Sequence, residues 1–187
     1  MKRPIVLASA SPRRKELLAK LVSEFEVLPS DLDEAIPKGL LPMELALHLA
    51  NEKAKTVLLQ RPNAIVIGAD TIVALGRTIL GKPKSGSDAI EMLRSLSGKM
   101  HEVITGVSVL TSNGKELFAK VSRVTFRVLS ENEITSYVAT GEPMDKAGAY
   151  AIQGGAADFV ESLQGDYDNV VGLPTTRLAE ALTRAQS

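Results

Sequence analysis

Two hydroxyls and two guanidiniums lie close together near the start of the chain, in Ser9, Ser11, Arg13 and Arg14. An apolar strand is predicted to end just before them and a helix to begin at Pro12, with Ser11 as its N-cap. The N–H groups of a first helical turn and the forked guanidinium both bind phosphate oxygens, so this segment suits an anionic ligand. Basic side chains there oppose the helix dipole, and such conflicts often mark function. The alternative is a capped helix with a solvated basic turn, and the segment alone leaves both open.

Two carboxylates, Asp70 and Glu34, are the candidate metal ligands and proton acceptors. Asp70 follows the apolar run 65–69, so we expect it at the carboxyl end of a strand, where open α/β sheets bind their ligands. A carboxylate there could hold Mg²⁺ or take a proton from water, whereas the alternative is an aspartate that caps a turn. Glu34, in the acidic stretch 31–34, could supply a second metal oxygen, although a solvated loop is the favoured interpretation.

Three lysines, Lys53, Lys82 and Lys146, are further candidates for binding an anion. They lie in different segments, and a single lysine is more often a solvated surface residue than a functional one. Only their convergence in the folded chain would therefore give them a shared role. The histidines are expected to be structural or solvated, because His48 falls on an apolar helical stripe and His101 lies beside a turn.

Composition excludes several kinds of site and partner. The 187 residues include 22 basic and 22 acidic side chains, so no overall field would hold a long nucleic acid or an anionic membrane. The sequence has no cysteine for a thiolate nucleophile and only two histidines, so a required metal is expected to be a hard cation, Mg²⁺ or Mn²⁺, on carboxylate oxygens. The first apolar run is too short for a secretory leader or a membrane span, so we expect a cytoplasmic protein.

Residues 76–82 match the spacing of a phosphate-binding loop as far as its lysine, Lys82. The next residue is Pro83, which lacks the hydroxyl that would bind magnesium and which disfavours helical geometry in the residue before it. We therefore exclude a true phosphate-binding loop, although Lys82 could still contact a phosphate from another kind of loop. The dinucleotide-binding, nucleophile-elbow and zinc-protease motifs are absent from the sequence.

Hydrophobic periodicity predicts a single α/β domain over residues 1–187, with a mixed sheet. The Asn113-Gly114 pair predicts a tight hairpin between antiparallel strands, and Ser130 with Glu133 predicts a helix that begins with a capping box. The glycine-rich, acid-dotted stretch 141–172 is typical of active-site loops. The predicted strands are 5–8, 64–68, 103–110 and 117–129, and the predicted helices begin near residues 12, 42, 87, 130 and 174.

Five segments in order resemble the Maf family of nucleoside triphosphate pyrophosphatases, and together they span nearly the whole chain. Their sequences are SASPRRKELL at 9–18, GADT at 68–71, GKP at 81–83, DKAGAY at 145–150 and VGLP at 171–174. The resemblance implies an α/β fold with a mixed β-sheet, flanking helices and two lobes around a cleft, similar to the inosine triphosphate pyrophosphatases. It also implies a homodimer.

The same resemblance implies cleavage of a nucleoside triphosphate between its α and β phosphates, which yields a monophosphate and pyrophosphate with the help of a divalent metal. Reactions of this kind need mainly alignment and charge neutralisation, for which cations, a metal and one base suffice. By resemblance Asp70 is the general base and a metal ligand, and Glu34 supports the metal. The residues implied to bind substrate are Ser9, Arg13, Lys53, Thr71, Lys82, Lys146 and Gln153.

Three positions bear on the choice of base. Arg13, Thr71 and Gln153 match the branch of the family that acts on dTTP and UTP, whereas the 7-methyl-GTP branch typically carries an aromatic residue, a glutamine and a glutamate. The stretch 152–157, IQGGAA, departs mildly from the family's usual IQGxG pattern. The alternatives are a 7-methyl-GTP pyrophosphatase and a non-catalytic regulator of septum formation. Asp70 argues against the regulator, because a binding protein would not need a base.

Overall fold

The computed structural model describes residues 3–30 and 39–186. The strands are β1 (Ile5–Leu7), β2 (Glu26–Val27), β3 (Ile65–Leu75), β4 (Thr78–Leu80), β5 (Met100–Thr111), β6 (Gly114–Phe126) and β7 (Val160–Gln164). The α-helices are α1 (Pro12–Ala19), α2 (Pro42–Gln60), α3 (Gly86–Leu96), α4 (Glu131–Ala139), α5 (Tyr167–Val171) and α6 (Thr175–Gln186). Short 3₁₀ turns occupy Glu142–Asp145, Ala147–Ala149 and Ala157–Phe159. No helix in these two ranges is long and apolar enough to cross a bilayer.

Within the described part of the chain, the strands form one mixed sheet in the order β2-β1-β3-β5-β6-β7, and β4 also pairs with β3. The β1–β2 and β1–β3 pairs are parallel, and the other pairs are antiparallel. β1 pairs with β3 as far as Ile67, and β4 pairs with the same edge of β3 only from Val73 onward. A gap therefore separates β1 from β4 along β3, and Asp70 lies within that gap.

Helix α2 covers one face of the sheet at very close range. A Cβ atom on Gly68 would lie 2.1 Å from the backbone oxygen of Ala50, and one on Gly106 would lie 2.4 Å from the backbone oxygen of Ala46. Only glycine at these two strand positions lets the helix backbone approach so closely. This contact fixes the height of α2 above β3, and with it the position of Lys53.

The opposite face of the sheet carries two apolar clusters along β3. Ala69 belongs to the first, which packs β1, β3 and β5 against α1 and α6. Val73 belongs to the second, which packs the far ends of the long strands against α3, α4 and the 3₁₀ turns. Thr71 lies between Ala69 and Val73 on this face, so polar side chains separate the two clusters at the level of the gap.

Local signals predicted the helix ends and the central hairpin well. Ser11 Oγ caps α1 by accepting the Arg14 N–H at 3.4 Å, and Ser130 with Glu133 forms the predicted capping box of α4. Thr111 pairs with Gly114 across the predicted hairpin turn. These features depend on neighbouring residues, so the sequence alone carries them.

Several predicted boundaries are wrong. β3 does not end at residue 68 but runs to Leu75 and turns into β4, so the loop that resembled a phosphate-binding loop is partly a β-hairpin with Gly76 at φ +60°. The stretch 141–172 holds β7 and α5 as well as loops. His48 is exposed rather than part of the apolar stripe of α2, while His101 is buried.

Candidate active site

A cleft of about 710 Å³ opens where the edge of β3 is left uncovered between β1 and β4. Glu34 lies outside the described residues. The other predicted site residues, drawn from six separate segments of the chain, all line this cleft: Ser9, Arg13, Lys53, Asp70, Thr71, Lys82, Lys146 and Gln153. The three lysines therefore converge in the folded chain, as a shared role would require. The role of each residue stays a prediction.

Asp70 and Lys53 form an ion pair on the α2 face of the cleft. Lys53 Nζ donates to Asp70 Oδ1 at 2.7 Å, and only 12% of the lysine side chain and 13% of the aspartate side chain are exposed. The expectation that Asp70 follows the end of its own strand is wrong, because β3 continues past it. It lies instead beyond the end of the neighbouring strand β1, which gives it the same access to a ligand.

The two arginines of α1 differ in their surroundings. Arg14 is held by three contacts from separate segments: its Nε donates to Gly172 O at 2.9 Å, and its two terminal nitrogens donate to Ser9 Oγ at 3.2 Å and to Thr71 Oγ1 at 3.0 Å. A planar guanidinium can make all three bonds at once. Arg14 therefore orients Ser9 and Thr71, and Arg13 is the α1 arginine left as the candidate ligand for an anion.

Behind Thr71, a chain of hydrogen bonds runs from the cleft across the face of the sheet opposite α2. Thr71 Oγ1 lies 2.9 Å from Thr105 Oγ1, and Thr105 Oγ1 donates to Asn169 O at 2.9 Å. The Asn169 side chain in turn donates to Ser122 Oγ at 2.9 Å and to Val103 O at 3.0 Å. Asn169 and Thr105 are fully buried, so this network connects α5 to Thr71 in the cleft away from solvent.

Lys82 and Lys146 reach the cleft from two loops that are tied together. The Gly148 N–H donates to Gly81 O at 3.0 Å, which joins the loop after β4 to the 3₁₀ turns of the 142–149 segment. Lys146 Nζ contacts the carboxylate of its neighbour Asp145, and 15% of the lysine side chain is exposed against 75% for the aspartate. The two lysines thus lie on the opposite side of the uncovered β3 edge from Ser9 and Arg13.

Tyr150 closes the cleft from below and pairs with a buried histidine. His101 Nε2 lies 2.7 Å from Tyr150 Oη, and the ring of Phe126 packs edge-on against both. Burial lowers the pKa of His101 to about 4 and raises the pKa of Tyr150. Of the two alternatives expected for His101, structural or solvated, this position agrees with the first, because its ring is buried against Phe126 and Tyr150.

Together these groups offer hydroxyls, a helix N-terminus and several cations on two sides of one buried carboxylate. Cations and helical N–H groups neutralise and orient a polyanion, and a carboxylate at its centre can accept a proton from water. The fold and the cleft define an α/β protein with a site suited to a polyphosphate. Within that class, the chain belongs to the family of Maf-like proteins, which it matches over residues 4–185. The predicted family is thereby confirmed.

Proteins named dTTP/UTP pyrophosphatase are similar to this chain over almost its full length. The one from Geobacillus sp. (strain WCH70) is 51% identical over 180 residues, which cover 96% of this chain and 97% of that protein. The one from Geobacter sulfurreducens is 51% identical over 182 residues, covering 96% and 95%. The one from Clostridioides difficile is 47% identical over 182 residues, covering 96% and 94%.

The solved structure of the Staphylococcus aureus Ham1 protein has the same fold. It superposes with a TM-score of 0.53 over 99% of this chain and 100% of that chain, at 16% sequence identity. The predicted fold class, a mixed β-sheet with flanking helices similar to the inosine triphosphate pyrophosphatase fold, is confirmed.

Proposed function

We propose that the protein is a nucleoside triphosphate pyrophosphatase that hydrolyses dTTP and UTP to the monophosphate and pyrophosphate. The observation that carries the proposal is the convergence of Ser9, Arg13 and three lysines around the buried Asp70 in one cleft. The names of relatives about half identical over nearly the whole chain support the same substrates.

In this proposal the triphosphate lies across the uncovered edge of β3. Ser9 and Arg13 bind it from the N-terminus of α1, while Lys82 and Lys146 bind it from the opposite loops. Asp70 accepts the proton of the attacking water as the bond between the α phosphate and the bridging oxygen breaks, and pyrophosphate leaves. Lys53 donates to Oδ1 of Asp70 and so holds that carboxylate, and it adds a positive charge beside the reacting phosphate.

A divalent cation, Mg²⁺ or Mn²⁺, belongs to the same proposal. The carboxylates of Asp70 and Asp145 line the cleft and are hard oxygen donors, which suit either ion. Mg²⁺ commonly binds through one or two protein carboxylates together with the substrate's phosphates. Asp70, and Glu34 by resemblance, would hold the ion, and the bound ion would supply further neutralisation of the polyphosphate.

For the base, the proposal assigns Arg13, Thr71 and Gln153 as the residues that favour a pyrimidine. Gln153 is exposed on a turn at the rim of the cleft, where its amide can face an incoming base. An amide offers both a donor and an acceptor, as the O4 and N3–H edge of uracil or thymine requires.

The experiment that tests this function separates the products of dTTP hydrolysis in the presence of Mg²⁺. We expect dTMP and pyrophosphate in equal amounts, and no dTDP. Release of dTDP and orthophosphate would overturn the proposed bond, and hydrolysis of 7-methyl-GTP in preference to dTTP would overturn the proposed base. A protein without any triphosphatase activity would instead support the non-catalytic alternative.

Two further proposals accompany the function. We propose that the protein forms a homodimer, which light scattering of the purified chain would test by its mass. We also propose that it acts in the cytoplasm as a single domain over residues 1–187. Fractionation of the cells that produce it would test the location, and a single cooperative unfolding transition would test the domain.

A further inference from the structure

Glu142, which the sequence did not single out, holds the backbone of the turn that carries Gln153. Both of its carboxylate oxygens accept the Gly155 N–H, at 3.1 Å each, and Oε1 also accepts the Tyr137 hydroxyl at 3.0 Å. Tyr137 is itself buried in α4, with its ring edge-on to Phe159 at 5.3 Å. The carboxylate therefore joins the turn to a fixed point in the core.

Gln153 lies between two hydrogen bonds that fix its backbone. The Gly154 N–H donates to Ala151 O at 3.1 Å and closes the turn on one side, and the contact of Gly155 with Glu142 closes it on the other. A Cβ atom on Gly154 would lie 1.8 Å from Glu142 Oε1, so a side chain there would displace the carboxylate. Gly154 thus makes room for Glu142.

This arrangement matters because Gln153 itself is exposed. An exposed side chain on an untethered turn samples many orientations, and fixing one of them when the ligand binds costs free energy. A turn already held by Glu142 avoids part of that cost. Glu142 also begins the 3₁₀ turn Glu142–Asp145 that precedes Lys146, so one short segment supports both the base side and the phosphate side of the cleft.

We propose that Glu142 is a positioning residue for base selectivity, because it holds the turn 151–155 so that Gln153 faces the cleft in one orientation. The inference rests on the proposed function, since it needs a pyrimidine nucleotide as substrate. Glu142 does not touch the substrate in this account; its carboxylate acts through the Gly155 N–H. A glutamine at 142 would keep one acceptor oxygen and lose the other, so it should retain part of the effect.

The contact of the Glu142 carboxylate with the Gly155 N–H, here called the clamp, can be tested without substrate. The measurement is hydrogen exchange at the Gly155 amide. We expect the amide to exchange about tenfold faster or more in Glu142→Ala than in the wild type, with Glu142→Gln in between, because the protecting acceptor is lost stepwise. Tyr137→Phe removes only the anchoring hydroxyl and should raise the rate less than Glu142→Ala. An unchanged Gly155 rate in Glu142→Ala would overturn the clamp, whatever the enzyme's activity.

The role of Glu142 in base selectivity is tested by measuring kcat/KM for dTTP and for 7-methyl-GTP. In Glu142→Ala we expect the dTTP preference to fall about tenfold, and in a Gln153→Ala background we expect the same change to have no further effect. Glu133→Ala is the matched control, because Glu133 also accepts a backbone N–H, that of Ser130, but its partners are Ser130 and Arg127 and not the turn 151–155. It should lower the melting temperature and leave the preference unchanged.

Each outcome decides the proposal. An unchanged preference in Glu142→Ala, or in Glu142→Gln if the alanine variant does not fold, overturns the selectivity role. An equal fall in the Gln153→Ala background overturns the route through Gln153. A wild-type protein that does not hydrolyse dTTP overturns the proposed function and the selectivity role with it, and the Gly155 exchange rates then still decide separately whether the clamp exists.

Discussion

In the proposed mechanism Asp70 is the residue on which the chemistry depends most, and its ion pair with Lys53 holds the carboxylate in place. The pair lies 2.7 Å apart with little solvent around it, so the carboxylate is oriented before substrate arrives. Sequence analysis singled out both residues as candidates and took their roles from the resemblance, but it did not predict their pairing. Lys53 is on α2 and Asp70 on β3, and no local pattern connects them.

Replacing Asp70 by asparagine should lower kcat for dTTP by about 100-fold or more while nucleotide still binds, because an amide cannot take the proton of water. The measurement is steady-state hydrolysis together with nucleotide binding by calorimetry. Asp158→Asn, at an exposed position away from the cleft, is the matched control and should keep normal turnover. Near-normal turnover of Asp70→Asn would remove Asp70 from the mechanism.

Gln153→Glu should raise the transition-state free energy for dTTP by roughly 1–3 kcal/mol and lower kcat/KM accordingly. Glutamate can accept a hydrogen bond from the pyrimidine edge but cannot donate one to it. 7-Methyl-GTP, cationic and rich in donors, should lose less or gain. Gln153 is exposed, so the substitution should leave the melting temperature nearly unchanged. Measuring both substrates on both proteins decides the matter, and a constant ratio between them would show that Gln153 does not select the base.

At the scale of the elements, helix ends were predictable and strand lengths were not. Caps such as Ser130 act within one turn, so the sequence carries them. β3 instead continues through the polar pair Asp70 and Thr71, because β5 pairs with it along that stretch, and such pairing is a tertiary effect. The contacts of Arg14 and Glu142 were not predicted for a related reason: they accept from or donate to the backbone of Gly172 and Gly155, which no residue pattern reveals.

The contact between α2 and the sheet leads to a prediction at this scale. Gly68→Ala would place a Cβ atom 2.1 Å from Ala50 O and 2.8 Å from Ala54 N, both backbone atoms that cannot move alone. The helix must then lift away, which should lower the free energy of unfolding by about 1–3 kcal/mol or more and displace Lys53 from Asp70. Denaturant unfolding and dTTP hydrolysis should both show the loss. Gly114→Ala, with nothing within 4 Å of its Cβ, is the control, and equal stability of the two variants would contradict the close packing.

At the scale of the whole molecule, the cleft arises because the strand pairing changes along one edge of β3. β1 joins β3 in parallel and stops at Ile67, whereas β4 joins antiparallel from Val73, so the edge between them stays uncovered. Separate apolar clusters pack on either side of Thr71, one against β1 and the other toward the far ends of the long strands. The sequence indicated the two lobes only through resemblance, because the position of the opening depends on which strands pair and where each one stops.

The stability of the whole fold should depend on pH through His101. Burial lowers its folded-state pKa to about 4 from an ordinary 6.5, so between these values the unfolded chain binds a proton that the folded chain does not. Its contribution to stability is therefore complete above pH 6.5 and is lost as the pH falls toward 4, by about 3 kcal/mol in all. Urea unfolding at a series of pH values measures this loss.

A non-titrating replacement isolates the contribution of this one histidine from that of the carboxylates. His101→Gln keeps a polar partner for Tyr150, which lies 2.7 Å from the imidazole, but takes up no proton in the unfolded chain. Its free energy of unfolding should fall less steeply than that of the wild type between pH 6.5 and pH 4. His48→Gln, at an exposed position on α2, should keep the wild-type slope. If His101→Gln and the wild type lose stability in parallel over this range, the buried imidazole does not limit the acid stability of the fold.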